Sequence, residues 1–315
     1  MVPKIFTGQA FGLHFRCNHE VPELSPGGGE SGPESVVDIN WEPAAQQRSS
    51  DCQNEASFHF SDGSFNLQLP NIASYRVTKN SITVLPAGNA QASSIRAFLF
   101  GSAIGALLQM RGLMVLHGSA VAMPDGQAAV FCGHSTAGKS TLAAALSRRG
   151  HPALADDITA IRFDPSGNAW CLPGLSRTKL WRDALETLGL ADKANATTRV
   201  LPEIDKHSLF LDTCDRPARL CRFYELQVQD ASKLSFHPVT GLDKLNLLLT
   251  HSYRPAYLRV LGRQSTLLSQ AASLAPRLLA GRIVRPRGER TLESIVAWLE
   301  EQWALSPHGA LKQND

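Results

Sequence analysis

Gln127–Cys132 (QAAVFC) leads into Gly133-His134-Ser135-Thr136-Ala137-Gly138-Lys139-Ser140, after which Thr141–Arg149 (TLAAALSRR) closes on Gly150. The eight central residues fit the pattern GxxxxGK[ST] without a mismatch. The apolar run before them reads as a strand and the run after them as an amphipathic helix, with Gly150 as its stop. In that setting successive backbone N–H groups and a helix N-terminus face one point, where they can hold a polyphosphate. Gly133 and Gly138 permit the unusual backbone angles of such a loop. Lys139 supplies a cation for the outer phosphates and the Ser140 hydroxyl a ligand for Mg²⁺. The competing interpretation is a glycine-rich turn that fits by chance, and a strand and a helix on the correct sides argue against it. Residues 133–141 are the candidate nucleotide-binding segment, with ATP and Mg²⁺ as the expected cofactors.

Working outward, Pro152–Ala155 reads as a short strand ending in Asp156-Asp157. Two adjacent carboxylates at a strand end point in different directions. One can accept the proton of an attacking hydroxyl while the other orients Mg²⁺ or its waters. Without the phosphate loop, a solvated strand end or a turn-capping Asp is the plainer explanation. Upstream, Leu113–Ala122 and Gln127–Cys132 read as two strands joined by a tight turn at Pro124-Asp125-Gly126.

Lys139-Ser140 through Leu146, Arg149-Gly150-His151 and Ala155-Asp156-Asp157 together resemble the GKS…L..RGH…ADD block of HPr kinase/phosphorylases, and Leu116-His117-Gly118-Ser119-Ala120-Val121 is similar to the strand carrying that family's histidine. The resemblance covers about 113–161. It implies a PEP-carboxykinase-like P-loop kinase domain of the HPr kinase C-terminal type, within an α/β chain. By the same resemblance Asp156 is the general base, Asp157 its companion and a metal ligand beside Ser140, and Lys139 the phosphate clamp. His117 would hydrogen-bond or tune the base, or else be a core histidine satisfied by backbone. Thr141 stands where the family usually has an acidic residue, the family's downstream signature loop is not found, and the N-terminal region is unlike theirs. The chain is therefore more similar to HPr-kinase-related proteins of peptide-modifying systems, including lasso-peptide precursor kinases. The expected activity is transfer of the γ-phosphoryl group of ATP to a hydroxyl, with serine in a peptide or small protein as the favoured acceptor. HPr itself, a small metabolite, and phosphoserine hydrolysis or phosphorolysis are alternatives, as is an ATP-binding module that gates a peptide-processing partner and transfers nothing.

The rest of the chain sets bounds. Short β-rich runs between Phe6 and Pro86 (Phe11–Phe15, Val36–Trp41, Phe65–Leu69, Tyr75–Val77, Ile82–Leu85) predict a small antiparallel domain over 1–92, with a mobile loop at Ser25–Ser35. A helix over 93–112, capped by Ser93 or Ser94, connects it to a kinase domain over 113–305, followed by a flexible tail at 306–315. Within the kinase domain, Ile158–Phe163 and Ala169–Leu172 form a hairpin; helices are expected at Lys179–Gly189, Ser265–Ala280 and Leu292–Ala304, and strands at Phe223–Val228 and Tyr257–Leu261. Ala97–Met110, between Arg96 and Arg111, is too short for a membrane span and reads as a core helix.

With 31 Lys+Arg against 28 Asp+Glu, the net charge of +3 does not point to nucleic acid or an anionic membrane as the main partner. Six scattered cysteines without a CxxC pair and the lack of an export signal fit the cytoplasm. A homo-oligomer is compatible with the sequence. Arg277, Arg282, Arg285, Arg287 and Arg290 form a basic stretch, more often a solvated face than an anion site. Arg177, Lys179, Lys206 and Arg254 are each able to bring a second cation to the phosphoryl group, and the sequence does not choose among them. Trp181, Trp298 and Trp303 read as core residues.

Overall fold

The computed structural model describes residues 4–26, 35–43, 55–195, 197–201, 203–210, 213–230, 233–287 and 291–305. Cys52, Arg290, residues 27–34 of the loop expected at Ser25–Ser35 and the tail at 306–315 lie outside them. In chain order the elements are β1 (Phe6–Ala10), β2 (Leu13–Cys17), β3 (Val36–Trp41), β4 (Ser57–Ser61), β5 (Ser64–Leu69), β6 (Ala73–Val77) and β7 (Ser81–Pro86), then α1 (Ala92–Phe98), a π-helical turn at Leu99–Ala103 and α2 (Ile104–Met110). There follow β8 (Met114–His117), β9 (Ser119–Ala122), β10 (Ala128–Gly133), α3 (Lys139–Arg148), β11 (Ala153–Ala155), β12 (Ile158–Phe163), β13 (Ala169–Cys171), β14 (Arg177–Trp181), α4 (Arg182–Thr187), β15 (Lys206–Phe210), β16 (Ala218–Gln229), β17 (Ser235–Val239), α5 (Leu242–Thr250), α6 (Pro255–Val260), α7 (Gln264–Leu274), β18 (Leu279–Pro286) and α8 (Leu292–Leu305).

The first seven strands form one sheet in the order β1-β2-β3-β7-β6-β5-β4. It is not purely antiparallel as the hairpin-like spacing predicts, because β3 runs parallel to both β2 and β7. Those pairs are separated by long connections, which are what a parallel crossover needs and what a local alternation pattern does not report. The segment Ala92–Met110 is long and apolar enough to cross a membrane, yet 78% of its most apolar window is buried inside the protein. It is a core element, with Ile95, Leu99, Ile104 and Leu107 packed in one cluster with Phe15, Ile39 and Tyr75 of the first sheet and with Val115 and Ile158 of the second. Its N-cap is Gln91 and carries no side-chain capping bond, so neither Ser93 nor Ser94 has the predicted role.

Gly105 in α2 lets Tyr253 lie against the helix: an added Cβ would stand 2.5 Å from Tyr253 Cε1 and 2.9 Å from Cδ1. Gly105→Ala is expected to destabilise the fold by about 1–3 kcal/mol although alanine is the better helix former, because a buried ring must shift. Urea unfolding checks this, and a stability equal to or above the parent's would contradict it.

The second sheet has two arms that share β16. On one, β10, β16 and β18 are mutually parallel, with β9 and β11 beyond β10 and β17 beyond β18. On the other, β13 pairs with the start of β16 and leads to β12 and β8. Helices α3, α4 and α8 cover one face and α5, α6 and α7 the other, each over its own buried cluster. The chain changes arms at Gly118, between β8 and β9. A Cβ there would meet Phe131 O at 2.7 Å and Cys132 Sγ at 2.8 Å, so glycine is needed for the strands to approach. It changes arms again at Asp156-Asp157, between β11 and β12.

Three expectations fail locally. Lys179 and Trp181 belong to strand β14 rather than to a helix, because β15 arrives as a pairing partner; only Arg182–Thr187 is helical. Tyr257–Leu261 lies mostly in helix α6, begun by Pro255 in its first turn, which fits a helix start and not a central strand. The helix expected over Ser265–Ala280 ends at Leu274, and Leu279 opens β18 alongside β16.

Candidate functional site

Strand β10 delivers the glycine-rich loop at the carboxyl end of three parallel strands. Gly133 has φ +141° and its absent Cβ leaves room for Leu226 O, which a Cβ would approach to 2.5 Å. Thr136 and Gly138 also have positive φ, and α3 starts directly after Gly138. His134, Ser135 and Thr136 are exposed, Ala137 is buried, and Gly138, Ser140 and Thr141 are half-buried. Lys139 is buried, and its Nζ donates to Gly133 O at 2.9 Å and to His134 O at 3.0 Å. Burial pushes its ammonium below the ordinary lysine value, with Asp156 and Asp157 among the groups that oppose this.

The acidic pair sits where the chain crosses between the arms, and the crossing at Gly118 lies opposite. Ile158 is in register with His117 and Ala155 with Ala120, so His117 and Ser119 flank the same gap. Asp156 is buried: Oδ1 accepts from Ser119 Oγ at 2.6 Å, and Oδ2 accepts from Thr178 Oγ1 at 2.8 Å and the Lys179 N–H at 3.1 Å. These are three neutral donors, which leave the carboxylate oriented but not paired with a charge at contact distance.

Asp157 points the other way, with φ +69°. Its Oδ2 accepts from Lys179 Nζ at 3.0 Å and its Oδ1 lies 3.3 Å from His117 Nδ1. Burial pushes this carboxyl up, but Lys179 and His117 outweigh burial and hold it well below the usual carboxylate range. A carboxylate so held is a weak base. His117 thus contacts Asp157, not Asp156 as expected; Nδ1 also lies 3.1 Å from Asp157 O. The reason is topological: His117 ends β8, whose partner β12 follows Asp157, whereas Ser119 opens β9, whose partner β11 precedes Asp156.

Residues 135–141 of the loop and helix start line one pocket of ≈ 690 Å³ with His117, Asp156 and Asp157, whereas Gly133 and His134 do not line it. That size suits a nucleotide-like ligand. The glycine cradle and the N-terminus of α3 fit a polyphosphate. For Mg²⁺ the protein offers the Ser140 hydroxyl and the nearby carboxylates. Among the described residues no three His, Cys, Asp or Glu gather as a cage.

Several residues around the site escape a sequence reading. Ser119 and Thr178, buried behind Asp156, have no role assigned by the sequence, and Lys179 stands out among four candidate cations only once β14 brings it to Asp157. Arg285 also lines the pocket, its Nη2 3.9 Å from where a Gly138 Cβ would stand. The other described arginines of its stretch are engaged elsewhere, Arg282 with Glu225, Arg287 with Asp230 and Arg277 with Gly167 O. Trp303 is buried and Trp298 packs on Phe236, but Trp181 is 38% exposed and lines the pocket, contrary to its expected core place.

Removing the Lys179 charge tests the pair. Asp157, with its depressed pKa, contributes stability above the ordinary carboxylate pKa of about 4, and that contribution fades as pH falls toward the lower folded-state value. Lys179→Met is expected to lower stability at pH 7 by about 1–3 kcal/mol and to move the acid-unfolding midpoint to higher pH. Denaturation curves from neutral to acid pH read both, and unchanged curves would refute the pairing.

No family model matches the chain and no curated protein matches it. Among solved structures the chain is similar to the Hpr(Ser) kinase/phosphatase from Coxiella burnetii, at 11% identity over 61% of this chain and 92% of that one, with a TM-score of 0.33. At that score the likeness is too loose to assign a fold family, and the architecture stands as a mixed α/β protein with several sheets.

Proposed function

We propose that the protein is a phosphotransferase moving the γ-phosphoryl group of ATP to a hydroxyl, on a PEP-carboxykinase-like P-loop domain, with serine of a peptide or small protein as acceptor. The observation that carries this reading is the single pocket shared by the glycine-rich loop, Lys139 and the acidic pair. The GKS…RGH…ADD resemblance supports it independently.

The acceptor oxygen bonds to the γ-phosphorus, the bond from that phosphorus to the bridging oxygen breaks, and ADP leaves. Asp156 takes the hydroxyl proton, since its partners are neutral donors while Asp157 is held ionised by Lys179 and His117. Asp157 keeps Lys179 beside the transferring group, and Lys139 neutralises the outer phosphates. Ser140 and Asp157 would hold Mg²⁺, which would supply further charge neutralisation at the phosphates. Positioning and electrostatics suffice for most of the rate, because a loose phosphoryl transition state asks for little covalent help.

The test is incubation with γ-labelled ATP, Mg²⁺ and seryl peptides. Label on the peptide with equimolar ADP supports the reading. ATP binding without label transfer or ADP would replace it with the nucleotide-gated module.

A further inference from the structure

A second cavity, ≈ 70 Å³, shares Asp156, Asp157 and Lys179 with the large pocket but includes no residue of the glycine-rich loop. Its other walls come from the N-terminal segment (Glu23), from α1 (Arg96, Ala97), from β14 (Arg177) and from residues 197–200. By this measure it has room for about five water molecules, the size of one small polar unit and not of a nucleotide.

The wall is polar and incompletely satisfied. Glu23 Oε1 accepts from Arg96 Nε at 2.9 Å, while Glu23 Oε2 is buried with no hydrogen-bond partner among the described residues. Arg177 Nε is likewise buried without one, and its guanidinium is held over the Phe210 ring, 4.0 Å from the centroid. Groups of this kind are rare in folded proteins unless something meets them. Oε2 calls for a donor and Arg177 Nε for an acceptor, and both side chains line the cavity that reaches the acidic pair.

Resting on the phosphotransfer reading, we propose that this cavity is the acceptor subsite and takes a seryl unit. The unit's hydroxyl faces Asp156, its nitrogen donates to the Glu23 carboxylate, and its carbonyl or carboxylate accepts from the Arg177 guanidinium. A peptide unit and a free amino acid share this donor and acceptor pair. Donor and acceptor cavities then meet at the same carboxylates, which line both.

The full chain is assayed with ATP and Mg²⁺ against free L-serine and against N-acetyl-L-serine amide, and binding of each probe is measured separately by calorimetry. Variants are Glu23→Gln, Arg177→Gln and the cavity-filling Ala97→Leu, which leaves the Glu23 and Arg96 pair in place. The expected result is an acceptor KM, and a probe Kd, raised about tenfold or more in all three, with the ATP KM within about twofold and the melting temperature of Ala97→Leu retained. Preference for the blocked probe assigns a peptide source, and preference for free serine an amino acid. Unchanged acceptor KM and Kd in folded Ala97→Leu would mean a water-filled structural cavity and overturn the proposal while the kinase reading stands. Failure of both probes to bind the parent protein overturns it too. Probe binding that the variants abolish, with no phosphoryl transfer by the parent, would keep the subsite and remove the kinase reading.

Discussion

Asp156→Asn is expected to lower kcat by about 10³-fold while ATP affinity stays within about twofold. The substitution is nearly isosteric and the local bonding can survive it. With its oxygen toward Thr178 Oγ1 and the Lys179 N–H, the new amide presents its NH₂ to Ser119 Oγ, and that hydroxyl can rotate to accept. What is lost is the proton acceptor, so the deficit falls on turnover. Asp156→Ala is a different experiment, since it strands buried donors and adds a stability loss of about 1–3 kcal/mol for each one left without a partner. Single-turnover rates together with nucleotide titration separate the two, and an Asn variant with full turnover would exclude Asp156 as the base.

Lys139→Met is expected to weaken ATP binding by about 10- to 100-fold and to reduce kcat by about 10²-fold or more. The ammonium is buried and bonded to Gly133 O and His134 O, and a phosphate entering the loop competes with those carbonyls for it. A thioether of similar length fills the space but offers neither charge nor donor. Both ground-state binding and the transition state therefore suffer, in contrast to Asp156→Asn. Equal losses of ATP affinity in the two variants would contradict the roles assigned to them.

The loop and the helix after it were legible because their information is local. Gly133, Gly138, Lys139 and Ser140 are contiguous, and the strand before them is a continuous apolar run. Asp156-Asp157 was legible as a pair for the same reason. The division between the two carboxylates was not, because it depends on which donors arrive from β9 and β14, at sequence distances no periodicity reports. Lys179 reads as the start of a helix, since the pairing of β14 with β15 involves a partner more than twenty residues away. Tyr257 misled through β propensity, whereas Pro255 and the cluster around Phe65 and Phe58 decided for a helix. Glu23 carried no signal at all, because its importance arises only when the N-terminal segment folds against α1.

The crossing of the chain at Gly118 and again at Asp156-Asp157 has a mechanical meaning. One carboxylate is tethered to β9 through Ser119 and the other to β8 through His117, while Lys179 of β14 bonds both, so the pair spans the seam of a divided sheet. Any rocking of one leaf against the other therefore strains the Lys179 link that holds the two carboxylates at a common spacing. A ligand that wedges or clamps the leaves would in this way set the reactivity of the centre without touching it.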